Sequence, residues 1–340
     1  MSLILDTLRP AAPETAGGWD DLLADIAAQT QAGVDGFRLG TDVVAVAPRR
    51  GHGYHQTLTA TLTHALYERF YHHHETPHLH RGPTGAADKR PASAREDPAF
   101  CHRLRAGLGE RYYWEGGWRV VGPGDDDRTV VERDDLVLHV TDDEVEATAD
   151  GVLVRFPADR PWASTGFYVV TGTSGPMTRA TGLARCYLHL LPETAPEVFA
   201  RIVRGLDAAG LPFTAKVLND PLAFGRPDSA VVYVAREQIR TVLEVVLAER
   251  RRDSAAFGSS VPAFTRRVLR GVAVADDPGP GTSFGQHRCC AVASGIVAAG
   301  PVAGPAERLA AVRRALTDEG LDLSALHLAP GRAEFDLADW

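Results

Sequence analysis

The sequence predicts an α+β fold in which largely antiparallel sheet is flanked by helices. Two observations lead there. Residues 111–170 read as successive short strand patterns, RYYWEG, WRVVG, TVVERDDLVLHV, EVEATADGVLVRFP and STGFYVVTG, with turn signals at Gly116-Gly117, Asp125 to Asp127 and Asp150-Gly151. Amphipathic segments of helical period then stand on either side, at residues 55–72, 192–210 and 236–252.

Taken in order, residues 19–34 place Trp19, Leu22, Leu23, Ile26 and Ala27 at helical spacing, with Gly33 as a stop. GTDVVAVAP (40–48) alternates as a strand, and residues 55–72 form an amphipathic helix. Residues 75–97 are rich in Pro, Gly and charge and read as a loop, and a helix is expected at 98–107. After the meander, RCYLHL (185–190) is a strand. The helix at 192–210 has Thr194 as N-cap, Pro196 in its first turn and Gly210 as its stop. FTAKVL and AVVYV are strands, residues 236–252 a helix, and CCAVASGIVAA either a strand or a buried helix. ERLAAVRRALTDEGL is the last helix. The expected division is residues 1–150, helical and β-meander, a candidate peptide- or partner-binding region, and residues 151–340 as the second domain.

Composition narrows the function classes. A formal charge of −8 over 340 residues argues against a nucleic-acid binder, although a basic pocket inside an acidic chain is compatible with it. No run of about 18 apolar residues is present, so no membrane span is expected, and the N-terminus lacks the basic start and long apolar stretch of a secretory signal. Cys101, Cys186, Cys289 and Cys290 have no CxxC spacing and read as reduced thiols, consistent with a cytoplasmic location.

The chemistry-bearing residues are spread from 185 to 288. Period-two alternation puts Arg185, Tyr187 and His189 on one strand face. His189 suits a general acid at a strand end; its alternative is a packed histidine beside Leu188 and Leu190. Lys216 interrupts an apolar strand, as a lysine in a pocket and a candidate base does, or as one on the wet side of an edge strand does. Arg226 sits in a Gly-Arg-Pro-Asp turn, where it either meets a ligand or pairs with Asp228. Arg288 follows SFGQH, where Gly285 offers a tight backbone near an anion. Arg266 and Arg267 adjoin in PAFTRRVL, and Tyr233 follows Arg226 on the next strand. A lysine base, a histidine acid and forked arginines suit elimination of phosphate. The histidines 72–74, 78, 80 and 102 match no defensible metal-site spacing, GPGTSFG is no nucleotide loop, and neither a GxSxG elbow nor a kinase catalytic loop is present.

FYVVTG (167–172), RCYLHL, FTAKVLNDP, FGRPDSAVVYV, PAFT and SFGQHRC, in that order, resemble the HopA-type effector family, and more closely the HopA-domain lyase subunits of class V lanthipeptide and thioamitide biosynthesis. More distantly they are similar to the phosphothreonine lyases, which implies a phosphothreonine-lyase-like C-terminal half. The resemblance implies that Lys216 removes the Cα proton and His189 protonates the leaving phosphate. It implies that Arg226 and Arg288 hold the phosphate, with Arg266 or Arg267 a further candidate. The distant family carries a Lys-x-His pair where this chain has Tyr187, so Tyr187 or Arg185 stands in for one contact, and Tyr233 is another candidate. The implied reaction turns phosphoserine or phosphothreonine of a ribosomal precursor peptide into dehydroalanine or dehydrobutyrine, with no cofactor and no metal. The implied partners are the phosphorylated precursor, a separate Ser/Thr kinase subunit and a cyclase subunit. Two other readings remain at this point: a non-catalytic module that binds a phosphopeptide, leader or kinase, and an enzyme acting on a small phosphorylated molecule.

Overall fold

The computed structural model describes residues 17–47, 51–72, 96–177, 182–279 and 281–337. The histidines at 73, 74, 78 and 80 and most of the 75–97 loop lie outside the described residues.

The chain begins with α1 (Gly17–Gln29), a small sheet of β1 (Thr30–Ala32), β2 (Gly36–Leu39) and β3 (Asp42–Ala45), and α2 (Tyr54–Leu66). The expected first helix is therefore shorter than its apolar pattern: it stops at Gln29, and Thr30–Ala32 pairs antiparallel with Phe37–Leu39 instead. A π-helical turn, Tyr67–Tyr71, continues α2. Next comes α3 (Pro98–Leu108), whose Asp97 N-cap accepts a 2.6 Å hydrogen bond from the Phe100 amide, with Pro98 opening the first turn.

The meander is present as β4 (Tyr112–Pro123), β5 (Thr129–Arg133), β6 (Leu136–Val140), β7 (Val145–Thr148) and β8 (Gly151–Pro157), in the order β6-β5-β4-β8-β7. A register shift between Glu115 and Trp118, at the Gly116-Gly117 pair, bends β4. Its two halves carry separate hairpins around a small core of Trp118, Val131, Val140, Val152 and Val154.

The principal sheet has seven antiparallel strands. In chain order they are β9 (Asp159–Ser164), β10 (Phe167–Thr171), β11 (Leu183–Leu188), β12 (Phe213–Leu218), β13 (Ala230–Ala235), β14 (Arg266–Leu269) and β15 (Val272–Asp276), arranged β14-β15-β11-β13-β12-β10-β9. One face carries Ala184, Cys186, Leu188, Ala215, Val217, Val232 and Val234, in one apolar cluster with residues of α3, α4 (Ala195–Ala208) and α5 (Ile239–Arg252). On α4, Val198, Phe199, Ile202, Val203 and Leu206 form the apolar stripe that faces it.

Tyr187, Val231, Ala273 and Ala275 on the opposite face join a second cluster with α1, α2, α6 (Phe284–Ala299) and α7 (Pro305–Asp318). This cluster unites residues from both sides of residue 150. The segment CCAVASGIVAA is thus a helix, buried on most sides, and its glycines admit neighbours: a Cβ on Gly295 would lie 2.5 Å from the Val312 Cα. No helix is long and apolar enough to cross a membrane among the described residues.

Candidate active site

Strand register assembles the site. On the face toward α2 and α6, Arg185 of β11 stands opposite Tyr233 of β13, which stands opposite Thr214 of β12. In the next row Tyr187, Val231, Lys216 and Val169 follow one another across four strands. Arg185, Tyr233, Thr214 and Lys216 line a cleft of about 770 Å³, closed at one end by residues 277–279 and 281–283 and by Arg332. Its lining contains three cations, Lys216, Arg185 and Arg332, against one carboxylate, Asp277.

The two cations on the sheet are braced by aromatic rings. The Lys216 Nζ lies 4.2 Å from the Phe167 centroid and 5.7 Å from that of Tyr233. The Arg185 guanidinium lies 5.1 Å from the Tyr233 centroid, while its Nε donates to Asp277 Oδ2 at 2.8 Å and its Nη2 to the Thr282 carbonyl at 2.9 Å. Arg185 therefore ties Asp277 and Thr282, both in the cleft lining, to the sheet.

The Arg226 guanidinium also approaches Phe167, 5.7 Å from the centroid of that ring. It is forked onto buried Asp228, Nε to Oδ1 at 2.5 Å and Nη2 to Oδ2 at 2.6 Å. Burial alone would raise the Asp228 carboxyl, but the Arg226 charge and its hydrogen bonds outweigh burial and hold it below the ordinary aspartate value. Buried His72 comes within 3.8 Å of Asp228 through Nε2 and 3.2 Å of Glu68 through Nδ1. Tyr187 lies under the sheet face, edge-on to Tyr71 at 6.5 Å and near Phe284 at 6.2 Å, and burial pushes its hydroxyl up to about 12. Tyr67 and Tyr71 stack at 4.9 Å against α6 where Gly285 leaves room: a Cβ there would lie 2.6 Å from both rings.

Lys216, Arg185 and Tyr233 thus share one cleft, and Arg226 reaches the same Phe167 ring as Lys216. The structure does not bring the other candidates there. His189 follows the end of β11; its Nδ1 lies 3.0 Å from Ser260 Oγ, and its ring fills the space above Gly258, where a Cβ would come within 2.4 Å. Arg288 is 1% exposed and belongs to α6, so the tight turn expected at SFGQH is a helix start. Its Nε and Nη2 donate to the Leu326 and Leu328 carbonyls at 2.8 and 2.7 Å, and burial pulls it down to about 10. Those donors are engaged within the protein, on two backbone carbonyls. Arg266 and Arg267 line a different cleft of about 640 Å³ together with Trp19, Phe264 and His327, and Arg266 pairs with Glu334 at 2.8 Å.

The family model for the HopA1 effector protein family matches residues 158–328, the stretch from β9 to just beyond α7. The chain belongs to the HopA1 effector protein family. Two solved effector proteins, from Pseudomonas syringae pv. tomato strain DC3000 and pv. syringae strain 61, are similar to this chain at 17% and 15% identity, with TM-scores of 0.40 and 0.39. Each alignment covers 48% of this chain and 63% of the effector, so the likeness extends over less than two thirds of those proteins. No curated protein matches the chain.

Residues outside the family match complete the site. Tyr67, Tyr71 and His72 come from the turn after α2, and Arg332 follows α7. Sequence reasoning missed them, together with Phe167 and Asp277. Only Phe167 left a signal, as the first residue of FYVVTG.

Proposed function

We propose that this chain is a phosphopeptide lyase of lanthipeptide-type biosynthesis, acting in the cytoplasm after a separate kinase. In that reaction Lys216 takes the Cα proton of a phosphoserine or phosphothreonine. The electrons of the C–H bond become the Cα=Cβ double bond, and the Cβ–O bond breaks with its electron pair leaving on phosphate. The products are dehydroalanine or dehydrobutyrine and inorganic phosphate.

The observation that carries this reading is the charge of the Lys216 cleft. An acidic chain that sets two arginines, Arg185 and Arg332, against one carboxylate, Asp277, beside a candidate base has a place for an anion. Arg185, already paired with Asp277 and fixed on the Thr282 carbonyl, would meet the departing phosphate only through its remaining Nη1, and Tyr233 between Arg185 and Lys216 offers a hydroxyl to it. Proton delivery by His189 would fall to Nε2, because Nδ1 faces Ser260. The reading in which the cleft binds a phosphopeptide without turning it over is favoured by that placement of His189 and by the engagement of Arg226 with Asp228.

The experiment is mass spectrometry of a phosphoserine- or phosphothreonine-containing precursor peptide incubated with the protein, wild type against Lys216→Ala, repeated with the cognate kinase. Loss of phosphoric acid with the wild type alone supports elimination. Binding without mass loss, in both proteins and with the kinase present, supports the non-catalytic reading.

A further inference from the structure

The meander β4–β8 holds the whole charge surplus of the protein. Residues 112–157 contain twelve Asp and Glu against four Arg, a surplus of eight, equal to the formal charge of −8 of the full chain; the remaining residues carry 32 acidic and 32 basic side chains. The same stretch contributes six of the ten large apolar side chains exposed among the described residues: Tyr112, Trp114, Val120, Val121, Leu136 and Val137. It lies outside the family match.

Strand β6 is the sharpest part of this surface. Its sequence, LVLHV, is apolar, of high β propensity, and without Lys or Pro, and Leu136 and Val137 are 51% and 53% exposed. It pairs with β5 on one side, and no described strand pairs with the other. Edge strands are ordinarily blunted by charge, proline or cover, because an open ladder recruits another chain. Arg133 stands opposite Leu136 across the two-residue turn Asp134-Asp135, so Leu136, Leu138 and Val140 bond to β5 while the backbone of Val137 and His139 turns outward. Exposed carboxylates mark both ends, Asp134 and Asp135 before the strand and Asp142 after it, with neighbouring Asp143 already paired to Arg155 at 2.6 Å.

We infer that the outer edge of β6 is a docking site for an extended, basic segment of a partner polypeptide, added as a sixth strand. The charges set its chemistry: alternating apolar residues over about 17 Å of strand, with Lys or Arg at both ends to meet Asp134 and Asp135 on one side and Asp142 on the other. A second copy of this chain is a poor occupant, because its own edge brings the same negative charge. The docking edge does not depend on the elimination chemistry.

The test uses the full chain and a fluorescent synthetic peptide in which lysine pairs flank a Val-Thr-Val-Thr-Val run, with a glutamate-flanked peptide as control. Anisotropy is read at low and high salt, and backbone amide exchange is read at Val137 and His139. The expected result is binding of the lysine peptide alone, weakened about tenfold or more by salt, with both amides slowed on binding. Val137→Pro removes an outward N–H without breaking a β5 bond and should weaken binding about tenfold, as one lost charge-flanked strand pairing of about 1.4 kcal/mol does. Val137→Lys, which retains the strand, should weaken it as well, with phosphopeptide turnover unchanged in both variants. Equal binding of the glutamate peptide, or undiminished binding by Val137→Lys, overturns the inference. So does self-association of the wild type through this edge, or slow exchange of both amides in the free monomer, which would mean that the chain covers the edge itself.

Discussion

Lys216 holds its ammonium 4.2 Å from the centroid of the Phe167 ring, and the guanidinium of Arg226 lies 5.7 Å from the same centroid. The ring therefore braces the candidate base and lies within reach of a second cation. An amine over an aromatic face gains about 0.5–2 kcal/mol and, more usefully here, a fixed direction. Phe167→Leu should leave the protein folded and lower the elimination rate about ten- to a hundredfold, because a misplaced base loses the alignment of the reacting atoms. Lys216→Arg should retain the charge and lose turnover. Single-turnover kinetics with a phosphopeptide check both; an unchanged rate in Phe167→Leu would remove the ring from the site.

Asp228 is the counter-charge on which Arg226 and His72 converge. Removing it leaves a buried guanidinium without its carboxylate. Asp228→Ala should cost about 3–5 kcal/mol of stability, read as a lower urea midpoint at unchanged slope. Arg226→Lys, which keeps a charge and loses the fork, should cost less.

Arg288→Met tests whether that residue is structural. It ties α6 to the Leu326 and Leu328 carbonyls, and its loss should destabilise the fold by about 2–4 kcal/mol, two buried hydrogen bonds from a charged donor. Turnover per folded molecule, measured well below the melting temperature, should be unchanged. A raised KM with unaltered stability would return Arg288 to the substrate.

Acid sensitivity follows from Asp228 and Glu334. Burial works against the Glu334 charge, but hydrogen bonds from His327, Phe335 and Arg266 outweigh it and hold the carboxyl down at about 2; Asp228 is also held low. Both are more acidic folded than unfolded, so the unfolded chain binds more protons in acid, and stability rises with pH. The contribution is complete above the unfolded carboxylate value of about 4 and is lost as pH falls toward 2. Glu334→Gln should flatten the acid limb of a plot of urea midpoint against pH, and Asp228→Asn should do so at a cost in neutral stability.

Gly258 seats His189. A Cβ at 258 would overlap the imidazole at 2.4 Å, so Gly258→Ala should displace the ring and destabilise by about 1–3 kcal/mol. If His189 supplies the proton to phosphate, the alkaline limb of the kcat profile, where a general acid loses its proton, should move with it. If it is a packing residue, stability alone should change.

Local sequence carried much of the fold. The helix after Asp97 begins where its capping carboxylate and Pro98 place it, while the one after Thr194 begins with Pro196 in its first turn but without a side-chain cap. The meander turns at Asp125 to Asp127 and Asp150-Gly151, whereas Gly116-Gly117 bends β4 and does not end it. The first helix ended early because Thr30–Ala32 found a strand partner in Phe37–Leu39, a pairing that an apolar period does not encode. Before Arg288, SFGQH reads as a glycine turn, whereas burial against Tyr67 and Tyr71 makes Gly285 the point of helix contact.

The sequence by itself determined the α+β class, the antiparallel meander and the motif order 167–289 by which the family is recognised, because period, turn chemistry and residue identity are local properties. Tertiary structure decided which charged residues meet. Arg185, Tyr233 and Lys216 share a cleft because β13 lies between β11 and β12, an order that the chain does not follow. Asp228 takes Arg226, α6 buries Arg288, and Tyr71 and His72 arrive from more than a hundred residues away. Strand alternation tells which face a side chain takes; only strand order and helix packing set what stands opposite it.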